Sequence, residues 1–164
     1  MAGDRIPPEG AYVTERFYRR HPEWTAVGKF TYEHSIAVDV LASLPEVKAD
    51  SIGALGHSLG GQGTMFLAAY DSRIKAAACN CAAPTFRHNA RVEDWARDYW
   101  YSYFRYLRPE IMDGHLPPID MHEITALIAP RAYLDLFAIN DGDPLTQSQR
   151  TLMNLAIMKV YELE

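Results

Sequence analysis

SIGALGHSLGGQGTMFLAAY, residues 51–70, is the stretch that decides the fold. SIGALGH is a short apolar run with the length of a buried strand. LGGQGTMFLAAY reads as a helix, closed by Asp71-Ser72. Between them Gly56-His57-Ser58-Leu59-Gly60 matches G-x-S-x-G in the strand-to-helix setting that the pattern requires. The physical reason is steric. A serine on so sharp a turn is forced into an unfavourable backbone conformation. Side chains two positions either side would collide, so Gly56 and Gly60 are expected to remove them. The turn lifts the Ser58 hydroxyl clear of the sheet, and the helix starting at Leu59 aims its first amides at the place where an oxyanion would develop. A phosphate-binding loop is excluded, because no G-x-G-x-x-G or G-K-[ST] follows a strand here.

Outward from the elbow, strand and helix alternate. Upstream, Val27, Phe30, His34, Ala37, Val40, Leu41 and Leu44 recur at helical spacing from Glu23 until Pro45. Downstream, IKAAACNCA (74–82) reads as a second buried strand, weakened by its alanines. Residues 83–118 read as a loop and an aromatic helix (91–107), a candidate lid broken by Pro109, Gly114 and Pro117-Pro118. IDMHEITALIA is a short helix, AYLDLFAI (132–139) a third strand, and NDGDP a turn. Residues 146–158 are a helix with Leu152, Leu155, Ala156 and Met158 inward, and VYEL begins a fourth strand. Residues 1–22, punctuated by Pro7-Pro8, Gly10 and His21-Pro22, read as an irregular lead-in. This order predicts an α/β domain with a mostly parallel sheet of about four strands flanked by helices.

Composition sets the bounds. The 164 residues suggest one domain, 48% hydrophobic and 23% charged, as in globular proteins. A net charge of −5 argues against nucleic acid or an anionic membrane as partner. No apolar signal region opens the chain, and no run approaches the ~18 apolar residues of a membrane span. Cys79 and Cys81, two apart on a strand, are poorly placed to pair, and no second ligand pair accompanies them. They read as thiols in a reducing, cytoplasmic compartment. No metal or organic cofactor is implied.

Three stretches carry a resemblance: FYRRHPEWTAVGK, then AVDVLASLPEVKADSIGALGHSLGGQGTMFLAAYDSRIKAAACNC, then DMHEITALIAPRAYLDLFAINDGD. With them the chain resembles the α/β-hydrolase superfamily, and within it the dienelactone-hydrolase and acetyl-xylan-esterase-like branch, near the prolyl-oligopeptidase-like hydrolases. The resemblance implies a serine hydrolase acting on small esters through an acyl-enzyme, with Ser58 as nucleophile and the Leu59 amide in the oxyanion hole. Chain order in the family is Ser, acid, His. Counted from Pro130-Arg131, Asp141 best matches the acid, with Asp143 second. An Asx turn capping the next helix is the plain alternative for both.

The family's histidine follows the next strand, and here no histidine lies beyond His122. Of His21, His34, His57, His88, His115 and His122, only His88 is positioned as a substitute base, on the loop after the second strand. Only 50 residues precede the nucleophile strand, and they hold no convincing strand of their own. The expected unit is therefore a central-to-C-terminal section of a larger hydrolase. It would be either a serine esterase or a non-catalytic fragment or interaction subunit that keeps the elbow. One edge of SIGALGH should be unpaired, which predicts self-association through that edge or through the aromatic helix.

Overall fold

The computed structural model describes residues 12–82, 85–86, 104–138 and 144–163. They divide between two compact units, one of Met1–Lys29 with Ala90–Pro117 and one of Phe30–Asn89 with Pro118–Glu164.

The second unit holds the sheet. Strand β1 (Ile52–His57) is followed by helix α3 (Leu59–Tyr70), β2 (Ile74–Asn80), α5 (Met121–Ala126), β3 (Ala132–Leu136) and α6 (Pro144–Tyr161). Helix α2 (Ala26–Ser43) leads into β1. The strands are parallel in the order β1-β2-β3, so β1 and β3 each have one neighbour among the described residues. The register puts Ala54, Ala77 and Tyr133 in one row on one face, and Leu55, Ala78 and Leu134 in one row on the other. The first face is packed. Val38 of α2, Leu67 and Ala68 of α3, and Ile128 close over Ile52, Ile74 and Ala77. The alanine-rich β2 is a strand despite poor propensity because it lies between two strands, where context outweighs preference.

The first unit is smaller. Helix α1 (Tyr12–Arg20) stops before His21-Pro22, where the proline disfavours helical backbone in the residue ahead of it. The Tyr18 hydroxyl accepts from the Ala26 N–H at 2.9 Å, and the Arg105 guanidinium lies 5.1 Å above the Tyr18 ring. A 3-10 turn (Arg105–Leu107) runs into the short α4 (Arg108–Met112).

Several expectations are corrected. Residues 12–20 of the lead-in are helical, because the breakers flank that stretch and none lies inside it. Pro109 does not break the chain. It stands in the first turn of α4, where its missing N–H would have no partner anyway. VYEL is not a strand: Val160 and Tyr161 continue α6, and the Tyr161 hydroxyl donates to the Arg131 carbonyl at 2.6 Å. The sheet therefore has three strands among the described residues. The face of α6 turned inward is Arg150, Met153 and Ile157, while Leu152, Leu155 and Met158 are exposed. On α2, Val27, Thr31 and Val38 are buried and Val40 and Leu41 are exposed, as is Leu44 just past its end. The aromatic residues 95–103 lie outside the described residues.

Candidate active site

Ser58 joins β1 to α3 with φ 53° and ψ −118°. A positive φ is costly for a residue with a side chain, and it persists only where the surroundings enforce it. Here they do. The Ser58 N–H donates to the Asn80 carbonyl at the end of β2 (2.8 Å), and its carbonyl accepts from the Gln62 N–H at 3.0 Å, inside α3. The side chain makes no capping bond and is exposed, so the hydroxyl stands free at the N-terminus of a twelve-residue helix. Leu59 is the first residue of that helix, and its N–H therefore has no acceptor within it.

The glycines around the elbow differ in role. A Cβ on Gly56 would overlap the Gly60 carbonyl group, so the tight turn requires glycine there. A Cβ on Gly60 would meet nothing within 4 Å, which corrects the symmetric expectation. One on Gly61 would lie 2.7 Å from the Asn80 carbonyl oxygen, and one on Gly63 2.7 Å from the His34 ring. The glycines of α3 thus let the helix approach both β2 and α2.

All three parallel strands end on the Ser58 side. Cys81, just after β2, has φ 53° and donates its N–H to the Leu136 carbonyl at the end of β3 (2.8 Å). Arg150 reaches the same rim from α6. It donates to Asp135 at 2.7 Å and to the Ala82 carbonyl, and its guanidinium lies 4.3 Å from the centre of the Phe137 ring. Asn154 adds a second donor to Asp135 at 3.3 Å. Neither Arg150 nor Asp135 was singled out from the sequence. A carboxylate inside a strand and an arginine inside a helix carry no local motif.

Asp141, Asp143 and His88 lie outside the described residues. The segment that bears both aspartates runs from the end of β3 to the start of α6. The five other histidines are placed, and none is hydrogen-bonded to the Ser58 hydroxyl. His34 packs against α3 with its ring 5.9 Å from that of Phe30. His57 is exposed at the end of β1. His21 neighbours Phe17 and Trp24. His115 pairs with Glu110 at 3.1 Å. His122 is half-buried with Nδ1 3.9 Å from an Asp120 oxygen. Asp120 itself caps α5. It accepts from the Met121 N–H at 2.7 Å and the Phe86 N–H at 2.6 Å, and its own N–H donates to Glu123. The D-x-x-E spacing was the readable signal for that cap.

Both cysteines are free thiols. Burial is the main influence that pushes the Cys79 thiol up to about 11, so it stays protonated and a poor nucleophile at neutral pH.

Comparison with known proteins places this geometry. The model of a family described as "BAAT / Acyl-CoA thioester hydrolase C terminal" matches residues 32–108. The chain is 30% identical over 118 residues to "Putative hydrolase YtaP" of Bacillus subtilis (strain 168), covering 70% of this chain and 36% of that protein. Among solved structures, a glucuronoyl esterase from Solibacter usitatus superposes with a TM-score of 0.70 at 23% identity, over 99% of this chain and 40% of the esterase. The catalytic domain of a glucuronoyl esterase from Hypocrea jecorina gives 0.71 at 19%, over 90% and 45%. The chain has the α/β-hydrolase fold of these esterases. It spans about two fifths of the length of these relatives. β1, the Ser58 turn and α3 follow one another as strand, turn and helix, and β3 precedes the segment that bears Asp141 and Asp143 in the sequence.

Proposed function

We propose that Ser58 is the nucleophile of a serine hydrolase that cleaves carboxylic esters through an acyl-enzyme. The observation that carries this reading is the strained, exposed serine at the head of α3 with an unoccupied hydroxyl. Attack of the hydroxyl on an ester carbonyl forms a tetrahedral oxyanion, which the Leu59 N–H is positioned to receive. Loss of the alcohol leaves an acyl group on Ser58, and water then releases it as the acid. Asp141, with Asp143 as alternate, orients the base. His88, on the loop after β2 in the sequence, is the alternate candidate for the base, and a solvated loop histidine is the plain alternative.

The relatives' names, a thioester hydrolase family and glucuronoyl esterases, share an acyl carbonyl as the point of attack. The flanking text resembles dienelactone hydrolases and acetyl-xylan esterases, which favours a short ester. We place the protein in the cytoplasm on its free thiols. Among the described residues no helix is long and apolar enough to cross a membrane.

A second reading is a non-catalytic portion that keeps the elbow. It is favoured by the lack of any hydrogen bond from the described histidines to Ser58. A fluorophosphonate probe separates the two. Labelling that disappears in Ser58→Ala, together with turnover of p-nitrophenyl acetate, is expected from a hydrolase. An unlabelled, inactive chain would leave the second reading.

A further inference from the structure

Two adjacent strands end alike. Ser58 after β1 and Cys81 after β2 both have φ 53°, a backbone state that is costly for a residue with a side chain. One peptide unit links them. The Asn80–Cys81 peptide accepts the Ser58 N–H on its carbonyl and donates its own N–H to the Leu136 carbonyl, each at 2.8 Å. A peptide unit is planar, so its carbonyl and its N–H turn together. That one plane ties the Ser58 turn to the end of β3, and rotating it breaks both bonds.

What keeps the plane from turning lies one residue further on. Arg150 of α6 donates from one terminal nitrogen to Asp135 inside β3, at 2.7 Å, and from the other to the Ala82 carbonyl. Its guanidinium also lies 4.3 Å from the centre of the Phe137 ring. A planar fork fixes its acceptors in direction as well as in distance. Cys81 is thus held from both sides, by its own N–H on β3 and by the following carbonyl on Arg150. The Arg150 side chain is 5% exposed and that of Asp135 8%. The Arg150 Nε has no hydrogen-bond partner among the described residues. A buried ion pair that is incompletely bonded adds little net stability over apolar side chains of similar volume. Apolar side chains, however, could not hold the Ala82 carbonyl.

We propose that Arg150 is a positioning residue for Ser58. By clamping the Ala82 carbonyl to β3 it locks the Asn80–Cys81 peptide, whose carbonyl holds the Ser58 N–H and so sets the place of the hydroxyl at the head of α3. Arg150 acts through backbone alone, across Ala82, Cys81 and Asn80. This role rests on the reading of Ser58 as the nucleophile.

The double variant Arg150→Met with Asp135→Leu removes the fork without leaving a buried charge. Two readouts compare it with the parent: native-state amide exchange followed by NMR, and the rate at which a fluorophosphonate labels Ser58. Exchange at the Ser58 and Cys81 amides is expected to rise at least about tenfold relative to Leu67 and Ala68 inside α3. Labelling is expected to slow about tenfold or more. Arg73→Met is the control for stability. It weakens the fold at the other end of the sheet, leaves this rim untouched and should label at the parent rate. Three results overturn the proposal: unchanged exchange at Ser58 and Cys81, a double variant that labels as fast as a labelled parent, or an equal slowing in Arg73→Met. A parent chain that takes no label refutes the nucleophile instead, and exchange at Ser58 and Cys81 then decides the clamp alone. If the double variant loses its circular dichroism, Arg150→Lys takes its place. It keeps a charge beside Asp135 without the planar fork, and the same three results decide.

Discussion

The two faces of the three-stranded sheet are built from similar residues and have opposite fates. One face is packed by α2, α3 and Ile128 and pinned by polar knots at both ends. At the Ser58 end, Asp135 and Arg150 form a buried ion pair. At the other end, Arg73 joins Asp71 at 2.6 Å and Asp39 at 2.5 Å, and Ser35 donates to Asp71 at 3.0 Å. The other face carries alanine, glycine and leucine in the open, with no knot among the described residues. Burial in this fold is thus decided by what lies above a residue and not by residue type.

Ala76 and Ala77 put this to its hardest test, because they are adjacent, identical and opposed. Ala77 lies in the packed core and Ala76 is exposed. Ala77→Asp buries an unpaired carboxylate under α3 and is expected to cost more than about 4 kcal/mol, enough to unfold a marginal domain. Ala76→Asp should shift stability by no more than about 1 kcal/mol. Urea unfolding of the two variants reads the difference. Similar losses would mean that the open face is covered in solution within a single chain.

The knot at the Ser58 end should give the next largest effect. Arg150→Met leaves Asp135 buried without its cation, and breaking such a pair costs about 3–5 kcal/mol. The double variant Arg150→Met with Asp135→Leu removes both charges and should recover most of that loss. A thermal melt of the single and double variants measures it. If the double variant is no more stable than the single, the cost lies in the Ala82 and Phe137 contacts of Arg150 and not in the orphaned carboxylate.

The same contrast explains what was legible in the sequence. The elbow was readable because glycine spacing, an apolar run and a helix start are all local. Which side of a helix faces the core was not. Helix α6 has apolar residues on several sides, and the long-range bond of Arg150 to Asp135 selects the one with Met153 and Ile157. The four-residue steps from Met153 to Ile157 to Tyr161 were the signal that the helix runs on through VYEL. Helix α2 has two apolar sides, and its spacing offered Val40, Leu41 and Leu44 as inward although they face out. Of the candidate site, Ser58 and Leu59 were legible from one motif. For a base the sequence offered only His88, by its loop, because a histidine that serves a distant serine need show no spacing to it.

The smallest expected effect belongs to the far knot and is read by pH. The hydrogen bond from Arg73 is the largest influence on Asp71, and it holds the carboxyl down at about 2 even though burial pushes the other way. The folded value lies below the unfolded value of about 3.9, so the protein binds fewer protons at this site than the unfolded chain does between them. The contribution is therefore complete above about pH 4 and fades as the pH falls toward 2. Asp71→Asn removes this dependence: its stability at neutral pH should be lower, on the order of 1 kcal/mol, and its fall between pH 4 and 2 shallower than that of the parent. Parallel slopes for the two proteins in that interval would show that other carboxylates govern the acid limb, and that the pin between α2 and α3 is not what holds the packed face together at low pH.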